Sequence, residues 1–242
     1  MRSVWRILGV SYSEALFWIR EWTWIAQSIS YIAGFFLLFY IWGGLEALKG
    51  VMVASIIVGG WSIGANAVAQ VVGWHKMSKR INVYVASPLT LAEYYAGMVL
   101  AQLPILVIEL SMPLIVASLM RLDPVSLLLL FVLSIIALLL GSFLVLSVVL
   151  RIKNPANISA ITNPIVTLTV MLPPVYYPAK ALPEPYRYFM LIVPTTPLAE
   201  AARLIAGMGT PVVDAWVLIL MIAAWLTASI VLLLRTFRWG LG

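Results

Sequence analysis

Long uncharged apolar stretches alternate with short polar ones along the whole chain. A bilayer core of about 30 Å is crossed by about 20 apolar residues at a rise of about 1.5 Å each. Residues 22–45 hold no charge before Glu46, and a second such stretch occupies residues 50–73. A third, 94–120, is interrupted by Glu109 and is followed by a fourth, 125–150, dominated by Leu, Val, Ile and Ser. The fifth, 155–172, stops where Pro173 and Pro174 cannot continue a helix, and the sixth, 213–234, runs into Arg235. The pattern predicts an all-α, polytopic membrane protein of one domain with six transmembrane helices.

The stretches between these runs have patterns of their own. Arg2, Arg6, Glu14, Arg20 and Glu21 prevent residues 1–21 from being a span. At about 100° per residue, Arg2, Arg6, Ser13 and Arg20 share one face, with Val4, Trp5, Ile7, Leu8 and Tyr12 opposite. This predicts an amphipathic helix in the membrane interface, arginines toward anionic headgroups. In residues 75–87, Lys76, Lys79 and Arg80 recur at helical spacing before the break at Ser87-Pro88. Thr90 and Glu93 then form a capping box that starts the third span. Residues 173–210 are too rich in proline for one helix and predict short, partly re-entrant helices at one membrane face. Irregular backbone at that depth persists only when buried in protein or lining a wet cavity.

Composition sharpens the class. With 63% hydrophobic and 10% charged residues, and a mean hydropathy of +1.06, the chain has too little polar surface for a soluble enzyme. Disorder is excluded for the same reason. The net charge of +6 belongs to membrane topology and not to nucleic acid. Ten Lys and Arg, Arg235 and Arg238 included, fall on the side of the termini against five on the other. That asymmetry puts both termini in the cytoplasm of a multi-pass cell-membrane protein. No cleavable leader is expected, since the first long apolar run starts at Trp22 with no Ala-x-Ala-like site after it. Without cysteine there is no disulfide framework and no thiolate chemistry.

A few polar residues stand out within the apolar runs. Glu109, flanked by Pro104 and Pro113, lies where an acid costs about 2.5–3.5 kcal/mol to insert. It is either a substrate contact or protonatable site, or a neutral or wetted structural acid. Asn66 and Gln70, one turn apart, either hydrogen-bond to a neighbouring helix or line a passage. Gly59, Gly60 and Gly64 allow a close helix approach, and Gly60-x-x-x-Gly64 matches a dimerisation pattern. His75, the single histidine, reads as an interfacial residue. Trp18, Trp22 and Trp24, with Tyr176, Tyr177, Tyr186 and Tyr188, fit aromatic belts, and Tyr176 and Tyr177 are also candidates for a substrate path. Glu14, Glu21 and Glu93 are far apart in sequence and lack metal-like spacing, which disfavours a membrane-embedded lipid-group transferase. A proton-coupled secondary transporter using Glu109 remains open.

The basic loop followed by VASPLTLAEYYAGMVLAQLP, and the later YYPAKALPEPYRYFMLIVPTTPLAEAAR, resemble the two signatures of the ABC-2 type exporter permeases. With the amphipathic N-terminal helix, the spans and the size, the resemblance covers the whole chain. Met98 stands where that family often has Lys, and Pro194-Thr195 where it often has Asn-Pro. The resemblance implies a transport subunit that moves an amphipathic substrate (drug, lipid or lipid-linked saccharide) outward by alternating access. ATP and Mg²⁺ would be bound by a separate ATP-binding cassette ATPase, leaving this chain with no cofactor and no enzyme activity of its own. No G-x-x-x-x-G-K-[ST] occurs in it. A second permease copy completes the unit, a homodimer being favoured over a heterodimer. Residues 75–87 would form the coupling helix, with Lys76, Lys79, Arg80, Tyr84, Ser87 and Pro88 facing the ATPase. Asn66, Gln70, Glu109, Tyr176 and Tyr177 make up the candidate substrate path.

Overall fold

The computed structural model describes residues 2–20, 22–154 and 156–237, and all its regular elements there are helical. They are α1 (Arg2–Arg20), α2 (Trp22–Ser62), a π-helical segment (Ile63–Val68), α3 (Ala69–Met77), α4 (Ile81–Ala86) and α5 (Leu91–Leu119). α6 (Pro124–Val149), α7 (Asn157–Met171), a 3₁₀ turn (Ala179–Ala181), α8 (Tyr186–Met190), α9 (Thr195–Ile205) and α10 (Ala215–Thr236) follow. Arg238 and the side chains of Trp18, Trp22 and Trp24 lie outside what is described.

Four helical runs are long and apolar enough to cross a membrane: Ile25–Met77, Leu91–Leu119, Pro124–Val149 and Ala215–Thr236. The first has 53 residues, about 80 Å if straight, which is more than twice a bilayer core. Gly44 breaks it with φ 62° and ψ −148°, a conformation open to glycine for want of a Cβ. Residues from Gln27–Phe35 and from Ser55–Ser62 then line one cavity, so the chain folds back on itself at Gly44. The stretches expected to be separate spans, 22–45 and 50–73, lie in one helical run broken at Gly44, which continues to Met77.

Local chemistry sets the other boundaries. Thr90 and Glu93 make the expected capping box, at 3.2 Å from the Glu93 N–H to Thr90 Oγ1 and 2.8 Å from the Thr90 N–H to Glu93 Oε2. α5 therefore starts at Leu91, ahead of the expected 94. Asp123 caps α6 by accepting from the Val125 and Ser126 amides, with Pro124 at the first helical position. α7 has only 15 residues, about 22 Å, and is shorter than the expected 155–172. Residues 75–87 are not one helix: α3 ends at Met77, and Lys79 turns the chain with φ 59° before α4 begins. The Ser78 hydroxyl and amide both bond back to the Trp74 carbonyl and close α3 there.

α6 sits at the centre, and α2 meets it through small residues. A Cβ at Gly60 would overlap the Ser134 carbonyl, one at Gly64 the Leu138 carbonyl, and one at Gly141 the Trp61 carbonyl. Ser134 Oγ donates to the Ile56 carbonyl at 2.8 Å across the same contact. The Gly60-x-x-x-Gly64 pattern is thus occupied inside the chain and is not a dimerisation face. α1 lies along α5, with Val10 seated on Gly97 and Arg6 3.6 Å from Glu93. Its Val4, Trp5, Leu8 and Tyr12 are exposed, leaving the outward apolar face that an interfacial helix requires.

Overpacking at Gly60 or Gly64 meets backbone, which cannot rotate away. Gly60→Ala and Gly64→Ala should each destabilise by about 3 kcal/mol or more, seen as a lowered thermal-unfolding midpoint in detergent. Gly59→Ala, whose methyl would lie 3.6 Å from Glu109 and Leu110, should leave that midpoint nearly unchanged.

Candidate functional site

Gly60 and Gly64 face α6, so a different face of the same helix is left for other work. Ser55, Gly59, Ser62, Asn66 and Gln70 recur along it at helical spacing and line two cavities. One, of about 310 Å³, lies between the two limbs of α2, with Glu109 of α5 and Tyr176. The other, of about 560 Å³, is lined by Glu14, Gln70, His75, Arg80, Ser159 and Asn163. Asn66 lines both, so a polar stripe runs from Arg80 to Tyr176. It sits on the π-helical segment, a widened turn of a kind that often marks functional sites.

Gln70 ties the stripe together. Its Nε2 donates to Asn66 Oδ1 at 3.2 Å and to Thr162 Oγ1 at 2.6 Å, while its Oε1 accepts from Ser159 Oγ at 3.3 Å. These bonds fasten α7 to the second limb, as the interhelical reading of Gln70 required. Four of the five expected path residues (Asn66, Gln70, Glu109 and Tyr176) come together along the two cavities. Tyr177 lines neither of them; it lines a smaller cavity of about 260 Å³ that it shares with Tyr176, beside Phe39 and Arg203. Tyr176 packs on Phe35 and Phe39, with ring centroids 5.7 and 6.3 Å away.

A second cluster joins α1 to α3 and α4. Glu14 is buried at 2% exposure and accepts from Arg80 at 3.0 Å and from the Tyr84 hydroxyl at 2.9 Å. His75 Nε2 lies 3.7 Å from the same carboxylate, and its Nδ1 is 2.9 Å from the Tyr94 hydroxyl. His75 is therefore a buried partner in a network and not an interfacial residue. Burial, and then the Glu14 charge, push the Tyr84 phenol above its ordinary pKa and keep it a donor. Sequence separation hid this cluster. Its one local signal is that Glu14 follows Ile7 and Val10 at helical spacing, an acid set into the buried stripe of α1.

The six expected coupling residues divide accordingly. Arg80 and Tyr84 engage Glu14, Lys76 Nζ donates to the Leu150 carbonyl at 3.0 Å, and Ser87 Oγ donates to the Tyr84 carbonyl at 2.6 Å. Lys79 and Pro88 remain on the surface, and with them Val83, an apolar side chain 70% exposed that its sequence context did not single out.

A third buried group organises residues 173–214. Glu200 Oε1 accepts from Arg203 at 2.8 Å and from the Ala179 amide at 3.1 Å. Arg203 also donates to the carbonyls of Pro174 and Val175. The pair satisfies loop backbone that prolines leave without helical partners. Among the described residues, no group of three His, Cys, Asp or Glu is placed to hold a metal ion.

A family model described as ABC-2 type transporter matches residues 10–206, a stretch that contains Glu14, both cavities and α9. No curated protein matches the chain.

Arg203→Met would strand Glu200 as an unpaired buried carboxylate, at a cost of about 3–5 kcal/mol. Lys49→Met breaks a pair whose Glu46 is 82% exposed and should cost less than about 1 kcal/mol. Thermal unfolding of the two variants in detergent should separate them clearly.

Proposed function

The chain belongs to the ABC-2 type transporter family, and from that premise we propose that it is the permease subunit of an exporter driven by a separate ATP-binding cassette ATPase. The match over residues 10–206 carries this reading. Six spans complete the membrane domain: the two limbs of the first run, α5, α6, α7 extended by its flanking residues, and α10. Both termini and the α3–α4 turn face the cytoplasm of a cell-membrane protein, and two copies of the chain pair.

The geometry supports a division of labour. The exposed Lys79, Val83 and Pro88 make the surface that seats in the ATPase, an apolar knob beside a cation. Arg80, Tyr84 and His75 transmit the push, because Glu14 locks α1, α3 and α4 into one body. When the ATPase dimer closes on ATP, that body tilts, and differential affinity of the ATPase for the two permease states supplies the population shift. An amphipathic substrate enters by the 560 Å³ cavity, passes Asn66, and leaves by the 310 Å³ cavity beside Tyr176.

A mild-detergent pull-down of the tagged chain from its native membrane should recover a soluble P-loop ATPase in stoichiometric amount. Recovery of the chain alone, even after crosslinking, would overturn the proposal. Lys79→Glu combined with Val83→Asp should abolish ATPase recovery with no change in the thermal-unfolding midpoint of the permease, since neither side chain has a buried partner to lose. Full recovery of the ATPase with that variant would remove these residues from the docking surface.

A further inference from the structure

One cavity of the fold has no part in the polar stripe. It holds about 420 Å³ at the end of the bundle where α2 reverses and α5 and α9 stop, away from Glu14 and His75. Three methionines, Met52, Met120 and Met208, line it, each from an element distant in sequence from the others. Backbone geometry fixes where each one stands. Met52 is on the second limb at 1% exposure. Met120 closes α5, its amide donating to the Val116 carbonyl at 3.0 Å, and Arg121 then turns the chain with φ 61°. Met208 stands between Gly207 (φ 66°) and Gly209 (φ 93°), and its amide donates to the Arg203 carbonyl at 2.9 Å. The charged side chains of the lining are one pair, Lys49 Nζ and Glu46 Oε1 at 2.6 Å, which leaves the cavity formally neutral. A methionine that serves as core filler closes the gap beside it, whereas these three border open space.

We propose that this cavity is a binding site for one Cu(I) ion, held by the three thioether sulfurs. Thioethers are soft, neutral donors that select Cu(I) over hard ions. Divalent ions are poorly served: the single carboxylate of the lining is paired with Lys49, the chain has no cysteine, and His75 lies in the Glu14 network. Removing an ion from water costs more as its charge rises, so a neutral cavity accepts a single charge more readily than a double one. Methionine has three rotatable side-chain bonds, which let the sulfurs close on one ion while the backbone stays in place. A bound ion joins the second limb, the end of α5 and the turn after α9 into one unit, and stabilises the folded chain by mass action. The site lies off the Asn66 stripe and does not rest on the transport reading.

The test uses silver nitrate, a redox-stable stand-in for Cu(I), with the full chain in detergent and chloride-free buffer. Metal retained after desalting is counted by mass spectrometry, with zinc nitrate as the comparison. The unaltered chain should retain about one Ag(I) and at least about tenfold less Zn(II), and Ag(I) should raise its thermal-unfolding midpoint. Met52→Leu, Met120→Leu and Met208→Leu conserve volume, and each should weaken Ag(I) binding by about tenfold or more, with the triple variant retaining none. Met171→Leu, at an exposed position outside the cavity, should bind as the unaltered chain does. No silver on the unaltered chain, equal retention of Zn(II), or silver binding untouched by all three cavity substitutions would overturn the proposal. So would a loss in Met171→Leu equal to theirs. The first two readouts need no variant, so they decide the matter even where a substitution impairs folding.

Discussion

The backbone of Gly60 and Gly64 lies directly on the carbonyls of Ser134 and Leu138, and the rest of the architecture follows from that contact. Between helices in lipid there is no hydrophobic gain from association, because lipid tails are as apolar as Leu. Van der Waals contact and interhelical hydrogen bonds must serve instead, and both need close approach. With the second limb of the long run pinned to α6 on one face, its other face is left lined by Ser55, Ser62, Asn66 and Gln70. The polar stripe and the glycine face are thus two sides of one packing solution.

Where the chain leaves regular helix, buried carboxylates replace helical hydrogen bonds as the organising force. Glu14 gathers Arg80, Tyr84 and His75, and Glu200 gathers Arg203 and the Ala179 amide. Each buried charge would be costly alone and is tolerated because Arg80 and the Tyr84 hydroxyl donate to Glu14, and Arg203 and the Ala179 amide to Glu200. The result is rigidity at both ends of the fold. Short helices such as α4 and α9, unstable in isolation, become parts of solid bodies.

That rigidity matters for a transporter. On the proposed coupling route, a push at Val83 requires α4 to move with α1 and α3, and Glu14 links the three. The π-helical segment at Ile63–Val68 carries Asn66 between the two cavities. A widened turn of this kind recurs at functional sites in helices.

The sequence alone determined the membrane class, the apolar runs, the Thr90–Glu93 cap and the break at the prolines after Met171, since each depends on hydropathy or on backbone chemistry within a few residues. It also placed Asn66, Gln70, Glu109 and Tyr176 in one candidate set, because polar groups in apolar runs are costly wherever they occur. Tertiary structure decided the rest. It directed the Gly60-x-x-x-Gly64 face to α6 instead of a second chain, moved His75 from the interface into a network, and put Tyr177 on a smaller cavity that it shares with Tyr176. It also joined Glu14 to Arg80 across 66 positions and left Val83 bare. No local pattern encodes those outcomes, because which partner a face meets depends on how helices distant in sequence are brought together.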